Sequence, residues 1–273
     1  MNGGRLMVAS PDYSAYCYFS VHNTLENLMK TVLITGCSSG FGLDIARYFL
    51  DRDWHVIATM RTPDEDLLPR SDKLKILALD VTSAESIRKA VEAAGPLDVL
   101  VNNAGIGAFG IFENYSLETA REIFETNTFG TMAMIQAVLP QFREKQAGTI
   151  VNVTSSVTLK PLPMLPIYTA SKAAVNAFTE SLALELEQFN IRLKIVLPGQ
   201  APETRFAENA GPRIGEFPPA YKDFAESVFA MLKAPATEIT KSLDVSQAVW
   251  HAVNDPTSPM RIPAGADAVA VFK

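Results

Sequence analysis

The chain has 273 residues, a formal net charge of −6 and 48% hydrophobic residues. That length suits a single α/β unit with a full core, and an acidic balance without a basic run excludes a nucleic-acid surface. Cys17 and Cys37 make no disulfide framework and fit a reducing, cytoplasmic setting, while no apolar run approaches the ~18 residues of a membrane span.

Residues 1–28 mix Gly, Ser, Asn, Tyr and Asp without a period and read as an N-terminal extension. Pro11 and Asp12 interrupt any signal-peptide core. The fold is expected to begin at Met29 and to run to 273 as one domain.

Val32 to Thr35 is a short apolar run suited to a buried strand. It leads into Gly36-Cys37-Ser38-Ser39-Gly40-Phe41-Gly42, after which Leu43, Ile45, Ala46, Phe49 and Leu50 recur at helical spacing. Strand, glycine-rich turn and helix make a phosphate cradle, because glycine permits the turn and the helix N-terminus faces an anion. The spacing is GxxxGxG rather than the commoner GxGxxG. A second strand, His55 to Thr59, ends at Met60-Arg61. An acidic residue at this place would hold a ribose 2′-hydroxyl. A guanidinium here favours a 2′-phosphate, and the alternative is a solvated Arg61 with Asp64 on the ribose.

Leu74 to Leu79 is a third strand ending at Asp80-Val81, and Ser83 can cap a helix over Ala84 to Ala94. Leu97 to Val101 is a fourth strand, followed by Asn102-Asn103-Ala104-Gly105. This strand–helix alternation predicts a doubly wound parallel sheet of about seven strands with helices on both faces. Ser116 can cap a long helix through Lys145, with Asn127 and Gly130 as poor helix formers in its interior. Either function or close packing accounts for such a violation.

A fifth strand, Thr149 to Val153, delivers Thr154, Ser155 and Ser156 at its carboxyl end, where open α/β sheets bind ligands. Three prolines then forbid regular structure over Lys160 to Pro166 and return the chain to Tyr168. Tyr168 and Lys172 are four apart at the start of a helix and share its face. An ammonium beside a phenol favours the phenolate, which makes such a tyrosine a usable acid or base. A sixth strand, Ile191 to Leu197, ends at Pro198-Gly199. The loosely patterned stretch of about 200–240 reads as a substrate lid whose Phe206, Phe217, Tyr221, Phe224, Phe229 and Met231 suggest an apolar substrate. Asp244 can cap a helix through Val253, and Arg261-Ile262-Pro263 is expected to form an edge strand.

With these motifs in order, the chain from about Met29 onward resembles the classical branch of the short-chain dehydrogenase/reductase family. It is similar to NADP-using hydroxysteroid and retinol dehydrogenase-like members. The resemblance implies a Rossmann-type fold and an NADP(H)-dependent oxidoreductase interconverting a ketone or aldehyde and an alcohol, with NAD(H) as the lesser choice. It assigns Tyr168 as general acid/base, Lys172 as its modulator and a holder of the nicotinamide ribose, Ser155 as the donor to the substrate oxygen, and Asn127 as the holder of a relay water. The cofactor would lie along Gly36, Ser38, Ser39, Gly40, Phe41 and Gly42, with Arg61 at the 2′-phosphate. Asp80 and Val81 would border adenine, followed by Asn103, Ala104 and Gly105, with Pro198 and Gly199 at the nicotinamide. Two positions depart from the family pattern: no glycine follows the Ser pair, and the threonine expected after Pro-Gly is shifted to Thr204 behind Pro202. Ser155 stands thirteen residues before Tyr168 and Ser156 twelve; the usual spacing selects Ser155.

Family members commonly pair through the helices carrying Asn127 and Tyr168, so a homodimer or homotetramer is expected. A non-catalytic NADP(H)-binding regulator on the same fold is the alternative. A serine hydrolase lacks its G-x-S-x-G elbow here. No His/Cys/Asp cluster has metal-ligand spacing, so no metal is expected.

Overall fold

Apolar runs separated by helices can be buried on both faces only if they pair side by side and the helices cover the two faces. The computed structural model describes residues 29–210, 217–233 and 238–272. Its strands are β1 (Thr31–Thr35), β2 (His55–Met60), β3 (Leu74–Ala78), β4 (Val99–Asn102), β5 (Gly148–Val153), β6 (Ile191–Pro198) and β7 (Arg261–Ala264). They form one parallel sheet in the order β3-β2-β1-β4-β5-β6-β7. This is the Rossmann-type arrangement, with the topological switch beside β1. The proposed 1–28 extension lies outside the described residues.

Alternation along β1 divides the core in two. Val32 and Ile34 face a layer closed by α1 (Gly40–Leu50) and α8 (Ser242–Asn254), where Phe49 packs among Trp54 and Trp250. Leu33 faces the other layer, closed by α2 (Ala84–Ala94), α4 (Gly130–Lys145) and α5 (Pro166–Leu186), where Met134, Ile135, Val138 and Phe142 are buried. Short α3 (Leu117–Phe124), α6 (Phe206–Ala210), α7 (Lys222–Lys233) and α9 (Ala266–Phe272) complete the described helices.

The helix expected from Ser116 to Lys145 is unbroken but not α-helical throughout. Ser116 does cap it, accepting from the Thr119 N–H at 3.1 Å. Between α3 and α4, however, Glu125–Phe129 form a π-turn with Asn127 fully buried inside it. The wider turn carries one extra residue and points Asn127 into the protein, as such turns often do at functional sites. Gly130 has the packing explanation: a Cβ there would lie 2.8 Å from Val81 Cγ2. Asp244 is also corrected. It stands in the first turn of α8 and accepts from the Lys241 backbone N–H at 2.9 Å, with Lys241 as the cap. Pro263 does lie on the edge strand, opposite Leu197.

Two polar constructions tie the layers together. Asn102 Nδ2 donates to Asn152 Oδ1 at 2.9 Å, and Asn152 Nδ2 donates to Thr179 Oγ1 at 2.8 Å, linking β4, β5 and α5 through buried groups. At the end of β6, the Gly199 N–H donates to Thr240 Oγ1 at 2.9 Å, Thr240 Oγ1 lies 2.7 Å from Asp267 Oδ1, and the Gln200 N–H donates to Asp267 Oδ2 at 2.6 Å. A buried polar group left without its partner costs far more than the pair gains when made. Asn152→Leu, which strands the Asn102 amide while leaving the Thr179 hydroxyl bonded to the Val175 carbonyl, is therefore expected to lower unfolding free energy by about 1 to 3 kcal/mol, read from the midpoint of urea denaturation.

Candidate active site

The parallel sheet brings the carboxyl ends of β1 to β5 to one edge, and a cavity of about 680 Å³ opens there. Gly36, Ser38, Ser39, Gly40 and Phe41 line it after β1, Arg61 after β2, Asp80 and Val81 after β3, and Asn103, Ala104 and Gly105 after β4. Tyr168 and Lys172 line it from α5.

The turn after β1 can take its shape only with glycine. Gly36 has φ +74°, and a Cβ on it would come 2.8 Å from Ala104 Cα; Gly40 has φ +56°. Ser39, the N-cap of α1, makes no side-chain cap bond, and the first turn carries no acidic residue. The helix therefore presents its orphan N–H groups to an anion without competition from a side chain. Asn103 braces this turn from below, donating from Nδ2 to the Thr35 and Gly36 carbonyls at 2.9 and 3.1 Å. Gly42 does not line the cavity. A Cβ there would collide with the Gly36 carbonyl at 2.3 Å, so its absence lets helix and turn meet. Pro198 and Gly199 also lie outside the cavity lining; a Cβ on Gly199 would meet the Asp267 carboxylate at 2.1 Å.

At the inner end Tyr168 is hydrogen-bonded, side chain to side chain, to Ser155, which like Asn127 stands just outside the cavity lining. Ser155 is buried and its backbone is anchored: its carbonyl accepts from Thr158 Oγ1 at 2.8 Å, which in turn accepts from Asn176 Nδ2 of α5 at 2.9 Å. Ser156 instead opens the short 3-10 turn Ser156–Thr158, its carbonyl accepting from the Leu159 and Lys160 N–H groups. That turn is why no glycine is needed after the Ser pair; Val157 packs its side chain beside Tyr168 and Leu165. The proline segment does carry the chain back to Tyr168, with Pro166 as the first residue of α5 and the Gly110 N–H bonded to the Met164 carbonyl at 2.8 Å.

Burial dominates the electrostatics here. It pushes the Tyr168 phenol up to about 12, a rise partly offset by the Ser155 hydrogen bond. It pulls the Lys172 amine down to about 8. Lys172 Nζ donates to the Val153 carbonyl at 3.0 Å. The sequence argument that the ammonium lowers the phenol is thus outweighed, because both groups lie out of water and the charged form of each is disfavoured. Asn127 sits behind them. Its Oδ1 accepts from the Ile106 N–H at 2.8 Å, and its Nδ2 donates to the Ile106 carbonyl at 2.9 Å and to Ser171 Oγ at 3.0 Å. A Cβ on Gly105 would lie 3.2 Å from Asn127 Oδ1 and 3.3 Å from Lys172 Nζ, so the site closes tightly around that backbone. Asp80 is held below the usual carboxylate range, first by its hydrogen bonds from the Thr82 N–H and hydroxyl, and less by Arg61.

Thr154 and the shifted Thr204 line the same cavity, as do Met60, Leu79, Ile106, Val153 and Arg205, which were not singled out by sequence. For Arg205 the available signal was its place directly after that shifted threonine. No group of three or more His, Cys, Asp or Glu suited to a metal exists among the described residues. Nor, among them, is any helix long and apolar enough to cross a membrane.

A nucleotide-sized cleft over a glycine turn, with a buried Ser–Tyr pair and a lysine at its inner end, defines a Rossmann-type oxidoreductase. The short chain dehydrogenase family model matches residues 30–214, and the chain belongs to that family. It is similar to a 3-ketodihydrosphingosine reductase of Bacteroides thetaiotaomicron, 38% identical over 208 residues covering 75% of each chain. It is also similar to bovine retinol dehydrogenase 8, 40% identical over 62% of this chain and 58% of that one. Among solved structures, a Burkholderia cenocepacia short chain dehydrogenase in complex with NADP superposes with TM-score 0.72 at 26% identity, over 89% of this chain and 91% of that one. A 3-ketoacyl-(acyl-carrier-protein) reductase from Brucella melitensis complexed with NADH gives TM-score 0.71 at 28% identity, over 86% and 96%.

The depressed Lys172 amine has a consequence for stability. Between pH about 8 and 10.5 the unfolded chain still binds the proton that folded Lys172 has released. The unfolded state is then the more protonated one, so this group makes stability rise with pH across that window. Lys172→Met lacks the effect. The melting temperature of Lys172→Met minus that of the wild type is expected to fall as pH is raised from 8 to 10.5, measured by thermal denaturation of the ligand-free proteins.

Proposed function

We propose that this chain is an NADP(H)-dependent oxidoreductase that interconverts a ketone or aldehyde with its alcohol. The observation that carries the reading is the buried Ser155–Tyr168 hydrogen bond at the inner end of a cleft that begins at the glycine turn.

The cleft fits a dinucleotide. The left-handed glycines, the uncapped start of α1 and the lack of an acidic residue in its first turn leave room and donors for a pyrophosphate. Arg61 stands where an acidic residue would select a free ribose hydroxyl, which supports NADP over NAD. When bound, the nicotinamide supplies the hydride chemistry. Lys172 would hold its ribose, and Gly36 to Phe41, Asp80, Val81 and Asn103 to Gly105 would hold the rest.

The chain's own part is to position the substrate and move a proton. Burial keeps Tyr168 protonated at neutral pH, the form that gives a proton to a carbonyl oxygen. Ser155, already aimed at the phenol, would donate to the same oxygen and stabilise negative charge developing there. Lys172, its amine pulled down to about 8 by burial, sits one helical turn on and favours the phenolate once the proton has left. Asn127 is a positioning residue here, since its side-chain bonds are spent on Ile106 and Ser171. Val157, Leu162, Leu165 and Phe109 pack around Tyr168, and Phe109 also packs on Phe229 of α7 with ring centroids 5.6 Å apart. These walls support an apolar carbonyl substrate. A substrate lid over about 200–240 belongs to the same proposal; residues 211–216 and 234–237 of it lie outside the described residues.

An NADPH-oxidation screen over aliphatic and aromatic ketones and aldehydes, with NADH as control, is expected to find turnover with NADPH preferred. Tyr168→Phe is expected to bind NADPH as the wild type does but to lose about 10²- to 10⁴-fold in kcat. Undiminished turnover by the Phe variant would refute the assignment.

A further inference from the structure

We propose that Arg205 is a pyrophosphate clamp: a guanidinium carried on the segment after β6 that grips the cofactor's central phosphates from above the glycine turn. The proposal rests on the dinucleotide reading above and adds a residue to it.

Three observations converge. First, Thr204 packs directly on the turn. A Cβ built on Gly40 would lie 3.6 Å from Thr204 Cβ and 3.7 Å from its methyl. Thr204 is fixed there by two bonds to the Ala201 carbonyl, from its N–H at 3.1 Å and its hydroxyl at 2.8 Å. Second, the next residue, Arg205, lines the same cleft. Third, the cations lining that cleft are Arg61, Lys172 and Arg205. Arg61 follows β2 and Lys172 lies at the inner end, so both are committed to the two ends of a bound dinucleotide. The doubly charged middle of the molecule would otherwise meet backbone N–H groups and hydroxyls but no cation. Arg205 is the cation beside that middle.

Its present partner makes it available. Arg205 Nε donates to Glu208 Oε2 at 3.0 Å, and both side chains are largely exposed, at 63% and 71%. Such an exposed pair is weak. Among the described residues the terminal nitrogens of Arg205 make no hydrogen bond. An arginine–phosphate contact is charge-assisted and can be bidentate, so a phosphate competes well against Glu208 for the fork.

The site of action gives a distinctive readout. The pyrophosphate is common to NADPH and NADH, whereas the 2′-phosphate is not. Dissociation constants for both are measured by fluorescence titration of the full chain. Arg205→Ala is expected to weaken NADPH and NADH by the same factor, about tenfold or more, with Arg205→Lys intermediate. Arg61→Ala is expected to weaken NADPH alone. Glu208→Gln, which removes a competing carboxylate, is expected to bind both as tightly as wild type or more tightly. Equal affinities of Arg205→Ala and wild type would reduce Arg205 to a surface ion pair and overturn the proposal. A loss confined to NADPH would overturn it too, by moving the contact to the 2′-phosphate. If the wild type binds neither dinucleotide, the functional reading itself fails and the clamp falls with it.

Discussion

Keeping an amine and a phenol out of water on one face of one helix is the constraint around which this molecule is arranged. Tyr168 and Lys172 are both under one-tenth exposed, and neither is comfortable when charged in that setting. The neighbourhood answers with directed groups: the Val153 carbonyl takes the amine, and Ser155 takes the phenol. Each of these is itself held. Val153 is the last residue of a fully paired central strand, and Ser155 is anchored through Thr158 and Asn176 to the helix that carries Tyr168. The helix therefore positions both its own reactive residues and the loop that faces them.

The sheet was legible because burial on both faces leaves its mark on the interior strands. Runs such as Val32–Thr35 and Thr149–Val153 lack the polar alternation of a half-exposed sheet, and the helices between them are amphipathic. The turn chemistry was legible for a similar reason: Gly36 and Gly40 adopt left-handed backbone that few other residues tolerate. Ser83 and Ser116 announced their helices by the one side chain that can satisfy the first turn.

What stayed hidden depends on contacts distant in sequence. Nothing local says that Gly199 is small because Asp267 needs its space, or that Gly42 is small because the Gly36 carbonyl does. The sequence reading placed both among cofactor contacts, whereas the cavity lining omits them. The balance between Lys172 and burial at Tyr168 was likewise beyond a spacing argument, since four residues on a helix fix direction but not depth. Arg205 escaped notice because it follows a threonine that Pro202 displaces from its usual place.

The π-turn at Glu125–Phe129 ties chemistry to architecture. Each residue advances an α-helix by about 100°, so the surplus residue sets the rotational phase of everything downstream in α4. Met134, Ile135, Val138 and Phe142 reach the core because of it. Shortening the turn to ordinary geometry would swing that hydrophobic stripe toward solvent as well as withdraw Asn127. Forcing the same residues into regular α geometry is thus penalised twice, and the irregularity is locked in by the core that grew around it.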